Sequence, residues 1–218
     1  MTWDVVLFDL DGTLTDSEPG VANGIVYALA SLGIPAPADD EIRKYLGPPL
    51  WYSFREYAGL GEKDVQHVVK IYREYYHETG RFENSVFPGI QELLDNFTIS
   101  SKRLAVATSK IESSAKSILQ HFRLEKYFEH IVGADENGLK RGTKGLVIKE
   151  ALNRLSVEDP DCVVMIGDRE HDVHGARENN IQSIGVLWGY GSHTELVNAG
   201  AHHLAHSVHD LGNIVSAY

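Results

Sequence analysis

The sequence predicts a doubly wound parallel α/β sheet with an inserted all-helical segment. Three observations predict it. Short apolar runs alternate with helical stretches along most of the chain, the pattern of βαβ units. The run 162–166, Cys-Val-Val-Met-Ile, carries almost no polar content, as a central parallel strand covered on both faces requires. Between residues 16 and 85 the alternation stops, and four helices with no convincing strand are expected. The expected organisation is therefore an α/β core of residues 1–15 and 86–218, with a helical cap, 16–85, inserted just behind the first strand. No internal repeat or low-complexity segment interrupts it.

The elements follow in order. An apolar run of strand type, Val5-Val-Leu-Phe8, opens the chain. Asp16-Ser17-Glu18-Pro19 reads as a helix start, with an Asp or Ser cap and Pro in the first turn. Val21, Ile25, Ala28, Leu29 and Leu32 then recur at helical spacing until Gly33. Short helices are expected over 39–45 and 50–57, separated by Gly47-Pro48-Pro49. Val65, Val68, Val69, Tyr72 and Tyr76 mark a longer one. Beyond Pro88-Gly89, helices are expected near Ile90, over 113–121, 142–155 and 172–180, and from Val208. Strands are expected over 103–107, 162–166, 182–187 and, weakly, near 201–205, with a short one within 127–133.

Composition bounds the function. The 218 residues are 43% hydrophobic and 23% charged, ordinary for a globular chain. The formal net charge of -11 disfavours non-specific binding to nucleic acid or to anionic membranes. No apolar run approaches the ~18 residues of a membrane span, and the first strand leaves no room for a signal peptide. Cys162 is the only cysteine, so no intrachain disulfide can form. A cytoplasmic protein is expected, monomeric or weakly dimeric, with Cys162 acting as a small buried hydrophobe.

The first strand ends in Asp9-Leu-Asp11-Gly12-Thr13. Strand alternation would place Asp9 and Asp11 on one face, where two like charges raise each other's pKa and a cation would relieve them. Asp9 reads as a nucleophile, Asp11 as a general acid/base and Mg2+ as the relieving ion. In open α/β sheets ligands bind beyond the carboxyl ends of the strands. Other strand ends should then look functional, and three do. Thr108-Ser109 ends a strand in two hydroxyls at an expected helix entrance, able with backbone N–H groups to hold a phosphoryl oxygen. Lys144 starts a helix, where a cation opposes the macrodipole and so invites a functional reason. It lies outside any full P-loop pattern. Gly167-Asp168 follows an apolar strand, and Asp168 would complete a hard oxygen shell with Asp9 and the Asp11 carbonyl. Asp172 would orient a metal-bound water or Lys144. His202, His203, His206 and His209 read as solvated or packed side chains, not a metal tract. Arg43, Trp51 and Tyr52 are candidates either for facing the substrate from the cap or for helix-core and surface roles.

These motifs resemble the haloacid dehalogenase superfamily and its phosphatase branch. Phe8-Asp9-Leu-Asp11-Gly12-Thr13-Leu14 is similar to its first motif, Thr108 to its second, Lys144 to its third and Gly167-Asp168 to Asp172 to its fourth. Gly47-Pro-Pro-Leu, Ala-Thr-Ser-Lys110, Gly-Asp-Arg169 and Gly185-Val-Leu-Trp-Gly-Tyr-Gly191 resemble the phosphoglycolate phosphatase and 5′-nucleotidase-like group. The resemblance implies Mg2+-dependent hydrolysis of a small phosphorylated metabolite through an aspartyl-phosphate on Asp9. In that scheme Asp9, Asp11 and Asp168 hold the metal. Gly12, Thr108, Ser109 and Lys144 hold the phosphate. Phosphoglycolate is the first substrate it suggests, nucleoside monophosphates the next. A phosphoglucomutase-type phosphotransferase and a non-enzymatic phospho-Asp signalling module use similar residues. Asp11 and the cap set the chain apart from the signalling module.

Overall fold

The computed structural model describes residues 2–45, 50–136 and 140–218; the side chains of Asp39, Asp40 and Arg43 are also outside the description. The Gly47-Pro48-Pro49 turn and the Arg43 side chain therefore lie outside the described residues. The chain divides into two compact units, Met1–Asp16 with Val86–Tyr218, and Ser17–Ser85.

The first unit is built on a six-stranded, wholly parallel sheet in the order β5-β4-β1-β6-β7-β8. Its strands are β1 (Val5–Phe8), β4 (Arg103–Ile111), β5 (His130–Ala134), β6 (Val163–Gly167), β7 (Gln182–Val186) and β8 (His203–Ala205). The intervening helices are α5 (Ile90–Ile99), α6 (Glu112–His121), α7 (Lys144–Arg154), α8 (Glu170–Glu178), α9 (His193–Ala199) and α10 (Val208–Ser216). Alternation along the buried strands divides the core in two. Val6, Phe8, Leu104, Val106, Val164 and Ile166 pack on one face with Leu94, Ile118 and Leu211. Val5, Leu7, Ala105, Ala107, Val163 and Met165 pack on the other with Val147, Ile148 and Ala176. Each fully buried Val, Leu, Ile or Phe contributes about 1.5–3 kcal/mol. The chain moves outward from β1 through β4 to β5, then returns to β6 on the other side of β1. The sheet's switch point therefore lies between β1 and β6, and every strand ends at the same edge.

The second unit contains α1 (Glu18–Ala30), α2 (Asp39–Ile42), α3 (Leu50–Glu56) and α4 (Glu62–Glu78). Ile25, Leu29, Tyr45, Phe54, Val68 and Tyr72 form a core of its own. Two-residue strands, β2 (Thr15–Asp16) and β3 (Ser85–Val86), pair where the chain leaves and re-enters the first unit. No strand was expected between residues 16 and 85, because two residues are too few to show a periodicity. No helix among the described residues is long and apolar enough to cross a membrane.

Two more local expectations are corrected. β4 runs on to Ile111, with a register shift against β5 between Ala107 and Ile111. Thr108 and Ser109 therefore lie in a bulged strand end, not at a helix entrance. Helix α9 was not anticipated, since seven residues span barely two turns. Its punctuation was nevertheless present: Ser192 caps the Glu195 N–H, and Gly200 closes the helix in the left-handed region at φ 87.

The start of α6 is tied to α7 by one carboxylate. Glu112 contacts Lys116 at 2.7 Å, Arg141 at 3.1 Å and Arg154 at 3.2 Å. Partial burial opposes its charge, but the Lys116 and Arg154 hydrogen bonds outweigh that and hold its pKa at about 2, below the usual 4.5. A depressed carboxyl stabilises the fold above its unfolded pKa and loses that contribution as pH falls through the folded value. Glu112→Gln is thus expected to cost on the order of 1–2 kcal/mol at pH 7, after allowance for solvent screening, and progressively less from about pH 4.5 toward 2. Urea unfolding at pH 7 and pH 3 checks this; equal losses at both would contradict it.

Candidate active site

β1 ends at Phe8, and the Asp9 N–H bonds the Ile166 carbonyl of β6 at 2.8 Å. Asp9 thus sits at the switch point. The backbone then turns, with the Leu10 carbonyl accepting from Leu14 (2.9 Å) and Thr15 (3.0 Å). Gly12 takes φ +79, and a Cβ there would run into the Asp168 carboxylate. Both the backbone angle and the close approach require glycine at that position.

Lys144, only 6% exposed, reaches from the first residue of α7 into this edge. Its Nζ lies 2.8 Å from Asp9 Oδ1, 2.7 Å from Asp172 Oδ1 and 3.1 Å from the Ala107 carbonyl. Burial works against the ammonium, but the Asp172 and Asp9 charges prevail and hold its pKa above the usual lysine range. These two carboxylates supply the counter-charge that a cation at a helix N-terminus needs. Asp172 also accepts the Arg169 N–H at 3.1 Å.

Asp168 is fully buried behind β6. Thr13 Oγ1 donates to its Oδ1 at 3.3 Å and the Tyr190 N–H to its Oδ2 at 2.7 Å. Burial, then the Asp172 and Asp9 charges, push its pKa up to about 8. Burial also raises Asp9; Lys144 only partly offsets it, and its pKa stands at about 6. Asp9, Asp168 and Asp172 each present an oxygen within 4.8 Å of the others, the one group of possible metal ligands found among the described residues. One lysine against three buried carboxylates leaves excess negative charge. Hard oxygen donors so arranged suit a small divalent cation such as Mg2+.

Asp11 has a different environment. Its Oδ2 lies 2.8 Å from Lys110 Nζ at the end of β4. The sequence treats Asp9 and Asp11 as one pair sharing a cation, whereas in the fold each has its own lysine. The Asp11 carboxylate is not part of the three-carboxylate group. Thr108 is buried, and its Oγ1 accepts the Lys110 N–H at 3.2 Å, which leaves its hydroxyl hydrogen free to donate. Ser109 is exposed.

Sequence reasoning assigned no role to Lys110, Thr13, Trp188 or Tyr190. Besides the Tyr190 bond to Asp168, Trp188 Nε1 donates to the Thr13 carbonyl at 3.1 Å and Tyr190 OH to Asp16 Oδ1 at 3.1 Å. The loop after β7 thereby fastens the turn after β1. The signal was its place at the end of another strand of the same sheet. His171 is exposed, and no histidine belongs to a metal-binding group among the described residues.

Residues 6–186 match the family model described as haloacid dehalogenase-like hydrolase. The chain is 44% identical over 187 residues to the tyrosine-protein kinase PtkA of Mycobacterium tuberculosis, covering 86% of this chain but 63% of that protein. It thus spans less than two thirds of that relative's length. The solved PtkA structure superposes with a TM-score of 0.84 at 38% identity, covering 98% of each chain. A 5′-nucleotidase of Pseudomonas aeruginosa is 40% identical over 94% of this chain and 91% of its own length. A phosphoglycolate phosphatase of Aquifex aeolicus is 31% identical over 85% of each. On the match over residues 6–186, the chain belongs to the haloacid dehalogenase-like hydrolases.

Proposed function

We propose that the chain is a Mg2+-dependent phosphatase acting on small phosphorylated metabolites through an aspartyl-phosphate on Asp9. The observation that carries this reading is the pairing of Asp9 with buried Lys144 at the switch point, beside Asp168 and Asp172. With a pKa near 6, Asp9 is ionised at neutral pH and ready to attack phosphorus. Lys144 holds that carboxylate in place and offers positive charge to a phosphoryl oxygen. The Thr108 hydroxyl binds a further oxygen, whereas the Gly12 N–H expected to do so is already engaged, donating to the Thr15 carbonyl at 2.8 Å. Asp11 gives a proton to the leaving oxygen, then takes one from the water that releases phosphate. Asp9 and Asp168 would hold the metal with the Asp11 carbonyl, while Asp172 acts through Lys144. A Mg2+ ion bound there would supply charge that stabilises the transferring phosphoryl group. The helical unit serves as the cap that sets specificity.

Phosphoglycolate is the substrate favoured by the sequence motifs. Nucleoside 5′-monophosphates are the second reading, favoured by the 40% identity to a 5′-nucleotidase over nearly full length. The PtkA relationship adds one acceptor to be tested besides water, a tyrosine hydroxyl. Phosphate release should be measured with MgCl2 from phosphoglycolate, nucleoside monophosphates, sugar phosphates and p-nitrophenyl phosphate. Many turnovers on at least one are expected. No release from any, or a single stoichiometric labelling, would sink the phosphatase reading. Phosphotyrosine formed from ATP in place of hydrolysis would favour the kinase-like alternative.

The carboxylate cluster also predicts a metal effect on stability. An Asp168 carboxyl raised from 3.8 to about 8 binds a proton that the unfolded chain releases, so metal-free stability falls as pH rises from about 4 to about 8. A cation competes with that proton. MgCl2 should therefore raise the thermal midpoint by several degrees (about 1–2 kcal/mol) at pH 8 and far less at pH 5. Equal shifts at both values, read by differential scanning fluorimetry, would argue against a metal at this cluster.

A further inference from the structure

Lys110 and Asp11 form the second ion pair of the site. Their side chains are 12% and 25% exposed at 2.8 Å, whereas a surface pair such as Lys70–Glu74 stands at 3.8 Å with 76% and 57% exposed. The geometry is asymmetric at the carboxylate. Lys110 engages Oδ2, while Oδ1 is buried without a hydrogen-bond partner. Three separate parts of the sequence build this contact. The turn after β1 carries Asp11. The bulge at the end of β4 carries Lys110, whose N–H bonds Thr108 Oγ1. Gly133 of β5 lies against the bulge, where a Cβ would meet the Lys110 carbonyl and the Glu112 backbone.

We propose that Lys110 is a positioning residue: by holding Asp11 Oδ2 it fixes the rotamer of the carboxyl group that serves the leaving-group oxygen of the substrate. This rests on the phosphatase reading above. An untethered carboxylate in a turn would populate several rotamers, and misplacement of a proton donor by about 1 Å costs on the order of 100-fold. In the first step the Asp9 oxygen forms a bond to phosphorus as the P–O bond to the alcohol breaks. The proton on Asp11 passes to the departing oxygen. In the second step a water oxygen bonds to phosphorus, the Asp9–phosphorus bond breaks, and Asp11 takes the water proton.

The test uses leaving groups, because a general acid matters most when the departing oxygen is strongly basic. Wild type, Lys110→Met and Lys110→Arg are assayed with MgCl2 on p-nitrophenyl phosphate and on an alkyl phosphate, phosphoglycolate or adenosine 5′-monophosphate, whichever turns over faster. kcat/KM reports the steps up to departure of the alcohol. Lys110→Met should lower it about 30-fold or more on the alkyl phosphate and less than about threefold on p-nitrophenyl phosphate. Lys110→Arg should restore most of the loss. In an Asp11→Asn background, Lys110→Met should add little further loss, since the two act as a unit. Thermal midpoints establish that the variants are folded. Equal loss on both probes, no loss on either, or full additivity with Asp11→Asn overturns the role of Lys110. Wild-type inertness on every probe overturns the phosphatase reading itself and, with it, this role.

Discussion

Asp9→Asn is expected to abolish phosphate release, lowering turnover by a factor on the order of 10^4 or more, while the protein stays folded. The amide keeps the size of the carboxylate but is far too weak a nucleophile to attack phosphorus. The fold should tolerate it, because Lys144 retains Asp172 at 2.7 Å and one of three clustered buried carboxylates has been neutralised. Two measurements check this: steady-state phosphate release, and trapping of a phosphoenzyme with radiolabelled substrate in the wild type but not the variant. Turnover within tenfold of wild type would show that another group attacks phosphorus.

Lys144→Met should act on both stability and activity. It leaves Asp9 and Asp172 buried without their shared counterion, and breaking such a buried arrangement costs about 3–5 kcal/mol. Above pH 7 the loss should be greatest. Near pH 5 the orphaned Asp9 carboxyl, which burial already raises to about 6, can take up a proton, so part of the stability should return. Activity should fall with it, because Asp9 loses the ammonium that keeps it ionised and in place. Urea unfolding at pH 5 and pH 8, with and without MgCl2, reads the stability term. A variant as stable as wild type at pH 8 without metal would mean that Lys144 is not the main counterion of the cluster.

The core strands were legible in the sequence because each is a local run bounded by local punctuation. Asp9, Thr108 and Asp168 could be placed at strand ends because a parallel sheet puts all such ends at one edge. Features requiring a precise backbone path were not legible. The bulge that carries β4 through Thr108 to Ile111 is a register slip against β5, and nothing in the β4 residues alone reports it. Lys110 stood in the Ala-Thr-Ser-Lys phrase with no role of its own, because its partner, Asp11, follows a different strand end. Tyr190 belongs to a Gly-rich phrase whose hydrogen-bonding purpose appears only beside Asp168.

By itself, then, the sequence determined the α/β class, the apolar strands and which residue types stand at their carboxyl ends. Periodicity and turn chemistry act over a few residues, so they can be read without a partner. Tertiary structure alone decided how the charges are shared. It gave Lys144 to Asp9 and Asp172, gave Lys110 to Asp11, and closed Thr13 onto Asp168 across 155 residues of chain. Those pairings depend on strand order and on burial. In a low-dielectric sheet edge a charge must find a counterion or a proton, and only the folded path settles which one is within reach.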